Sequence, residues 1–130
     1  MGKLAARVLI GIGVLHVLLF LWFGRRVLVA IANEGFWNTI DPIRDRQMIF
    51  WALMTGVFGL LLGRLALWVE VHGKRLPAFF GWQLIAIALV CGVLMPESGG
   101  WLFLIPGILV VIGARQASAR REILPSAIGN

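Results

Sequence analysis

The sequence predicts an all-α fold, a four-transmembrane-helix antiparallel bundle with an interfacial helix in the first connection. Composition is the first reason. The chain has 130 residues, 60% of them hydrophobic and 14% charged, with a mean hydropathy of +0.92. Soluble domains average about 45–50% apolar and about 25% charged residues. The second reason is the arrangement of the apolar residues in four runs, at about 4–23, 48–69, 76–95 and 99–114. The third is that Lys and Arg cluster at the ends of these runs, as they do around membrane spans. Four spans leave no room for a soluble module, so residues 1–130 form a single integral membrane domain.

The first run, Leu4 to Phe23, contains Arg7 near its start and His16 near its middle. A secretory signal is the competing reading, because Lys3 and Arg7 precede the run and Ala30-Ile31-Ala32 resembles a cleavage site. The run is too long for a signal core, and Arg25-Arg26 falls before that site, so a retained helix is expected. Residues 24–40 are the one long connection. Val27, Leu28, Ala30 and Ile31 predict a short helix lying in the interface, ended by Gly35, with Trp37 at headgroup depth. The alternative is that the first helix simply extends to Ala32.

The second run opens with an acceptor at N-cap, Asp41, and a proline at N1, Pro42. A polar first turn of Arg44, Asp45, Arg46 and Gln47 follows. Met48 to Val69 then carries one charge, Arg64, and at about 1.5 Å per residue extends about 33 Å, enough for a hydrocarbon layer of about 30 Å. Ala52, Gly56, Gly59 and Gly63 recur at helical spacing and make a smooth groove, suited to another helix of the chain or, through Gly56, Gly59 and Gly63, to a second copy. The third run, with Trp82, Gln83 and Cys91, begins after the basic turn Lys74-Arg75-Leu76-Pro77. Pro96 to Gly100 is a turn cluster that makes runs three and four a hairpin. The fourth run is the shortest, and Pro106-Gly107 should kink it and free the carbonyl of Leu102.

Orientation follows from the cations. With the N-terminus inside, Lys3, Arg7, Lys74, Arg75, Arg115, Arg120 and Arg121 face the cytoplasm, against Arg25, Arg26, Arg44 and Arg46 outside. Both termini are therefore expected in the cytoplasm, with the protein in the inner membrane. The net charge of +6 is spread over segment ends rather than gathered in a basic run, which argues against nucleic acid as a partner. The single cysteine, Cys91, permits no intrachain disulfide. No metal-ligand spacing and no Gly-rich phosphate loop is present, so no metal and no cofactor is implied.

Counting from the helix ends places the polar residues at matched depths. His16 and Thr55 fall in one outer layer with Cys91, Pro106 and the Leu102 carbonyl, with Trp51 one turn nearer the surface. Arg64 and Gln83 form an inner layer. A polar side chain facing lipid is costly, so His16 should face the interior, where it either pins helix packing through a hydrogen bond or lines a ligand pocket. A lone His is a poor metal site, and no carboxylate shares its depth. Arg64 is near enough to the inner interface to snorkel. The outer cluster of Trp37, Asn38, Asp41, Arg44, Asp45 and Arg46 reads as a helix cap with Arg–Asp pairing, or as a polar lid over the His16 layer. The six Trp fit aromatic belts, although Trp37 and Trp51 also suit the mouth of a pocket.

Several strings carry a resemblance: Gly13-Val14-Leu15-His16; Glu34-Gly35-Phe36-Trp37-Asn38; Arg46-Gln47-Met48-Ile49-Phe50-Trp51; Arg75-Leu76-Pro77 with Gly81-Trp82; and Leu94-Met95-Pro96-Glu97-Ser98-Gly99. Over roughly residues 5–115 the chain resembles a family of small bacterial four-helix membrane proteins whose domain has no known function. The resemblance implies an integral membrane protein and assigns no activity and no catalytic residues. Three functional readings stay open. The first is a non-catalytic module that binds a lipophilic molecule or lipid among His16, Trp51, Thr55, Cys91, Pro106, Trp37 and Asn38, or serves as a partner subunit. The second is a small oligomeric transporter or channel using His16 and Arg64. The third is a membrane enzyme on a lipid-like substrate with His16 as base.

Overall fold

Almost every backbone amide in the apolar runs finds its partner within its own segment, as it must where no water can serve. A computed structural model describes residues 1–41 and 43–126, with side chains through residue 119. Among the described residues the fold is all-helical and contains no strand. Five α-helices occur in order: α1 (Gly2–Phe23), α2 (Arg25–Asn33), α3 (Arg44–Val71), α4 (Ala78–Leu94) and α5 (Leu104–Ser126). Two short 3-10 turns, Pro96–Ser98 and Gly100–Phe103, join α4 to α5. Three segments are long and apolar enough to cross a membrane: Gly2–Phe23, Arg44–Val71 and Gly100–Ala119. α4 is a shorter apolar helix of 17 residues, about 25 Å at about 1.5 Å per residue.

The packing divides the chain into two compact units. One comprises Ile10–Leu62, and the other Met1–Leu9 with the chain from Gly63 onward. In the first unit, the second half of α1 runs antiparallel to the first half of α3 through glycine contacts. A Cβ at Gly13 would lie 2.9 Å from the Leu60 amide nitrogen, and one at Gly56 would lie 2.7 Å from Val17 Cγ2. Gly24 meets Ile49 in the same manner, with a Cβ 2.6 Å from its Cγ2. The small-residue groove of α3 is thus filled at Gly56 and Gly59 by α1 of the same chain, so a second copy docking there would have to displace α1.

In the other unit, α4 and α5 form an antiparallel hairpin. A Cβ at Gly81 would sit 2.7 Å from the Gly107 carbonyl oxygen, and one at Gly107 would sit 2.9 Å from the Gly81 carbonyl oxygen. The core beside this hairpin is built from small and medium residues, Ala5, Ala6, Ala66, Leu76 and Val110, with Leu67, Val69, Phe80 and Leu109 packed on it. Large apolar side chains lie outside instead: Leu4, Leu18, Phe58, Leu61, Trp68, Val90 and Ile105 are all exposed. Monomeric soluble proteins avoid such continuous apolar surface. Small residues inside and large ones outside is the pattern of helices that associate in lipid by close contact.

Four sequence expectations need correction. Helix α3 begins at Arg44 rather than at the Asp41–Pro42 cap; Asp41 accepts a hydrogen bond from the Gln47 side-chain amide, and Pro42 lies outside the described residues. The shortest apolar helix is α4, not the last, because the final helix continues through Arg115 to Ser126. Pro106 does not kink a helix interior, because it sits in the first turn of α5, where its missing N–H leaves no bond unmade. The Leu102 carbonyl is correspondingly not free but accepts from the Leu104 amide. The separate short helix expected in the first connection is present, rather than an extension of the first helix to Ala32: α1 stops at Phe23, and Gly24 (φ −82°, ψ 0°) separates it from α2.

Gly81→Ala should therefore lower the melting temperature of the protein in detergent, with an overpacking cost of about 1–3 kcal/mol. Gly11 has nothing within 4 Å of its absent Cβ. Gly11→Ala is expected to be neutral or to stabilise by up to about 1 kcal/mol. Differential scanning fluorimetry of the two variants checks the contrast, and equal shifts would contradict it.

Candidate functional site

The connection between α2 and α3 is the most constrained polar part of the chain. Helix α2 ends at Asn33, and Gly35 follows with φ +92°. Phe36 (φ +66°) and Asn38 (φ +53°) also adopt the left-handed region, which costs a residue with a Cβ about 1–2 kcal/mol. Something must hold this backbone. Arg46, in the first turn of α3 and only 8% exposed, reaches back to it. Its Nη1 and Nη2 donate to Glu34 Oε2 and Oε1, both at 2.6 Å, in the two-pronged geometry that guanidinium and carboxylate share. Nη1 also donates to the Thr39 carbonyl oxygen at 2.6 Å, and Thr39 Oγ1 donates to the Phe36 carbonyl at 3.3 Å. The hydrogen bonds from Arg46 hold the Glu34 carboxyl below its ordinary range. Phe36 and Trp37 project outward from the loop so fixed, Trp37 with 92% of its surface exposed.

This pairing replaces the one expected from sequence. Arg46 joins Glu34, not Asp41 or Asp45, and Gln47 takes Asp41. Arg44, Asp45 and Asn38 are exposed. The cluster is a folded loop with an ionic pin, and its polar groups are spent on the loop itself.

The outer-layer residues of the first unit, His16, Thr55 and Trp51, do not come together either. His16 is half-buried, its Nε2 3.0 Å from the Ala52 carbonyl oxygen of α3, and its ring rests on Phe20 with centroids 4.7 Å apart. With Nε2 protonated, the imidazole donates to that carbonyl. Gly56, one turn after Ala52, makes the room, because a Cβ there would lie 3.1 Å from His16 Cδ2. Thr55 is exposed and donates to the Trp51 carbonyl of its own helix at 2.8 Å, so it does not meet His16. Trp51 is exposed as well, its ring edge-on to Phe50.

Cys91 and Pro106 belong to the other unit. Cys91 lies against Gly100 at the α4–α5 turn. Pro106 is fully buried, packed near Ala5, Leu9, Phe80 and Leu84 with no room for a water molecule between them. Arg64 and Gln83 are both exposed, and among the described residues no hydrogen bond links them. No three His, Cys, Asp or Glu side chains gather there into a metal-binding group.

With the loop and the His16 contact in view, comparison with known families is informative. The model of a family of unknown function (DUF6463) matches residues 1–117. The chain belongs to that family. Neither the curated proteins nor the solved structures give a match. The matched residues include all of α1 to α4 and both halves of the Glu34–Arg46 pair, so the family likeness extends over the pinned loop.

Two outcomes test the loop. Glu34 has a lowered folded-state pKa, so its contribution to stability is present above the ordinary value of 4.5 and is lost as pH falls through the lowered value. The melting temperature of the parent should exceed that of Glu34→Gln at neutral pH, and the gap should close in acid; a gap constant with pH would refute the pairing. Arg46→Lys keeps the charge but not the fork. It should behave much like Arg46→Ala, with faster amide hydrogen exchange at residues 35–40 and unchanged exchange within α4.

Proposed function

We propose that this chain is a four-span integral membrane protein of the inner membrane, with both termini in the cytoplasm, that works by non-covalent binding. It serves as a module that takes up a lipid or lipophilic molecule or stands beside a partner subunit. The helices long and apolar enough to cross a membrane, and the outward-facing large apolar side chains, support the membrane reading. Under this reading α4 completes the fourth span at the lower limit of length, and α2 with Phe36 and Trp37 lies in the outer interface.

One observation carries the preference for binding over transport or catalysis. His16, a side chain on which both of those readings depend, gives its Nε2 to the Ala52 carbonyl, and among the described residues its Nδ1 has no acidic or hydroxyl partner. A proton-handling His needs such a partner, or a substrate, placed to exchange its proton. A His that bridges two helices is instead a packing element, of the kind worth about 1–2 kcal/mol in a bilayer.

Native mass spectrometry of the detergent-extracted chain, paired with flux assays in liposomes, tests the proposal. The expected result is a chain or a small assembly carrying lipid or a partner, with no flux above empty liposomes. Flux that disappears in His16→Ala would favour a transporter and overturn the reading.

A further inference from the structure

One cleft is large enough for a ligand headgroup and has a charge that the fold does not use. Its volume is about 490 Å³, and it lies between the start of α1, the turn from α3 to α4, and α5 near Gly113. Lys3, Lys74 and Arg75 line it, all exposed, and Glu70 is the one carboxylate among the lining residues. Among the described residues the one salt bridge is Arg46–Glu34, so none of these three cations is paired with a described carboxylate. Glu70 is occupied: its Oε1 accepts the Leu76 amide at 2.9 Å. That bond, with Gly73 at φ +74° and the Lys74 amide donating to the Val69 carbonyl at 3.1 Å, fixes the turn and with it the positions of Lys74 and Arg75. Gly2 and Gly113 keep the walls low, since a side chain at Gly2 would overlap the Glu70 carboxylate and one at Gly113 would press on Met1.

The cleft is lined by cations and apolar groups alike, and exposed apolar side chains, Leu4, Val71, Phe79 and Ile112, stand close to its lining residues in sequence. A ligand suited to both has an anionic head and hydrocarbon tails. We propose that this cleft binds the phosphate of an anionic phospholipid, held by Lys74 and Arg75 with Lys3 alongside, while the acyl chains lie on the neighbouring apolar surface. A compact oxyanion suits the planar guanidinium and the point charge of lysine together. The proposal rests on the membrane reading above and gives its lipid a headgroup chemistry and a place.

The test is native mass spectrometry of the full chain from mixed micelles holding equal phosphatidylglycerol and phosphatidylcholine. The parent should retain phosphatidylglycerol preferentially. Lys74→Gln with Arg75→Gln should reduce that preference by about fivefold for each cation removed. Glu70→Gln keeps an acceptor for the Leu76 amide while removing the opposing charge, so it should raise the preference, an effect a merely structural role would not produce. Arg25→Gln with Arg26→Gln removes the same charge from the other unit and should leave the preference unchanged.

Equal loss in the two double variants, or no loss in either, would overturn the site. Displacement of the lipid by inorganic phosphate at equal concentration would assign the cleft to a free anion and overturn the lipid. A chain that keeps both lipids equally loses this inference and not the membrane reading. One that dissolves without detergent and keeps neither loses both.

Discussion

Helices in hydrocarbon gain nothing by hiding apolar side chains from their surroundings, so they must attract one another by closeness of contact. On the membrane reading proposed above, the rest of this structure depends on that constraint. It explains why glycine stands where backbones meet, at Gly13 against Leu60, at Gly56 against Val17, and at Gly81 against Gly107. Dispersion forces reward a backbone that approaches within van der Waals distance, and any Cβ at these positions would hold the helices apart. It also explains a core made of Ala5, Ala6 and Ala66 while Leu18, Phe58 and Trp68 stay outside.

The same solvent decides what becomes of polar groups. Each one either satisfies itself locally or moves to an end of a span. Thr55 bonds its own helix, His16 takes the Ala52 carbonyl, and among the described residues no buried side-chain nitrogen or oxygen is left without a partner. Apart from Arg64, exposed within α3, the charges gather near the ends of the apolar stretches. Arg46 and Glu34 lock a loop whose backbone would otherwise relax from the left-handed region, while Lys3, Lys74 and Arg75 line a cleft without a salt bridge among the described residues. Arg46 is buried by the loop that it organises, its guanidinium donating to one carboxylate and one carbonyl.

Hydropathy alone was enough to find the apolar helices, since a run such as Met48 to Val69 has few other stable states in lipid. It was poorer at their ends. The last helix was cut short at Ala114 because Arg115 and the residues after it are polar, yet a helix that leaves the bilayer can continue in water to Ser126. Depth counting matches His16 with Thr55 but says nothing of direction around the axis. Thr55 is one residue from Gly56, hence about 100° away from the face that meets α1. The Glu34–Arg46 pair escaped notice because the two residues are twelve apart across a loop with three left-handed residues, a geometry no periodicity encodes. A signal was present nonetheless: both residues begin strings that carry the resemblance read from the sequence.

Spin labels placed singly at Leu18, Phe58, Val90 and Ile105 in a Cys91→Ser background, reconstituted in lipid bilayers, test the central claim most directly. All four positions are exposed in the protein itself. If hydrocarbon surrounds them, power saturation will show high accessibility to oxygen and low accessibility to a water-soluble nickel chelate. High nickel accessibility at these sites would place them in water and contradict the account.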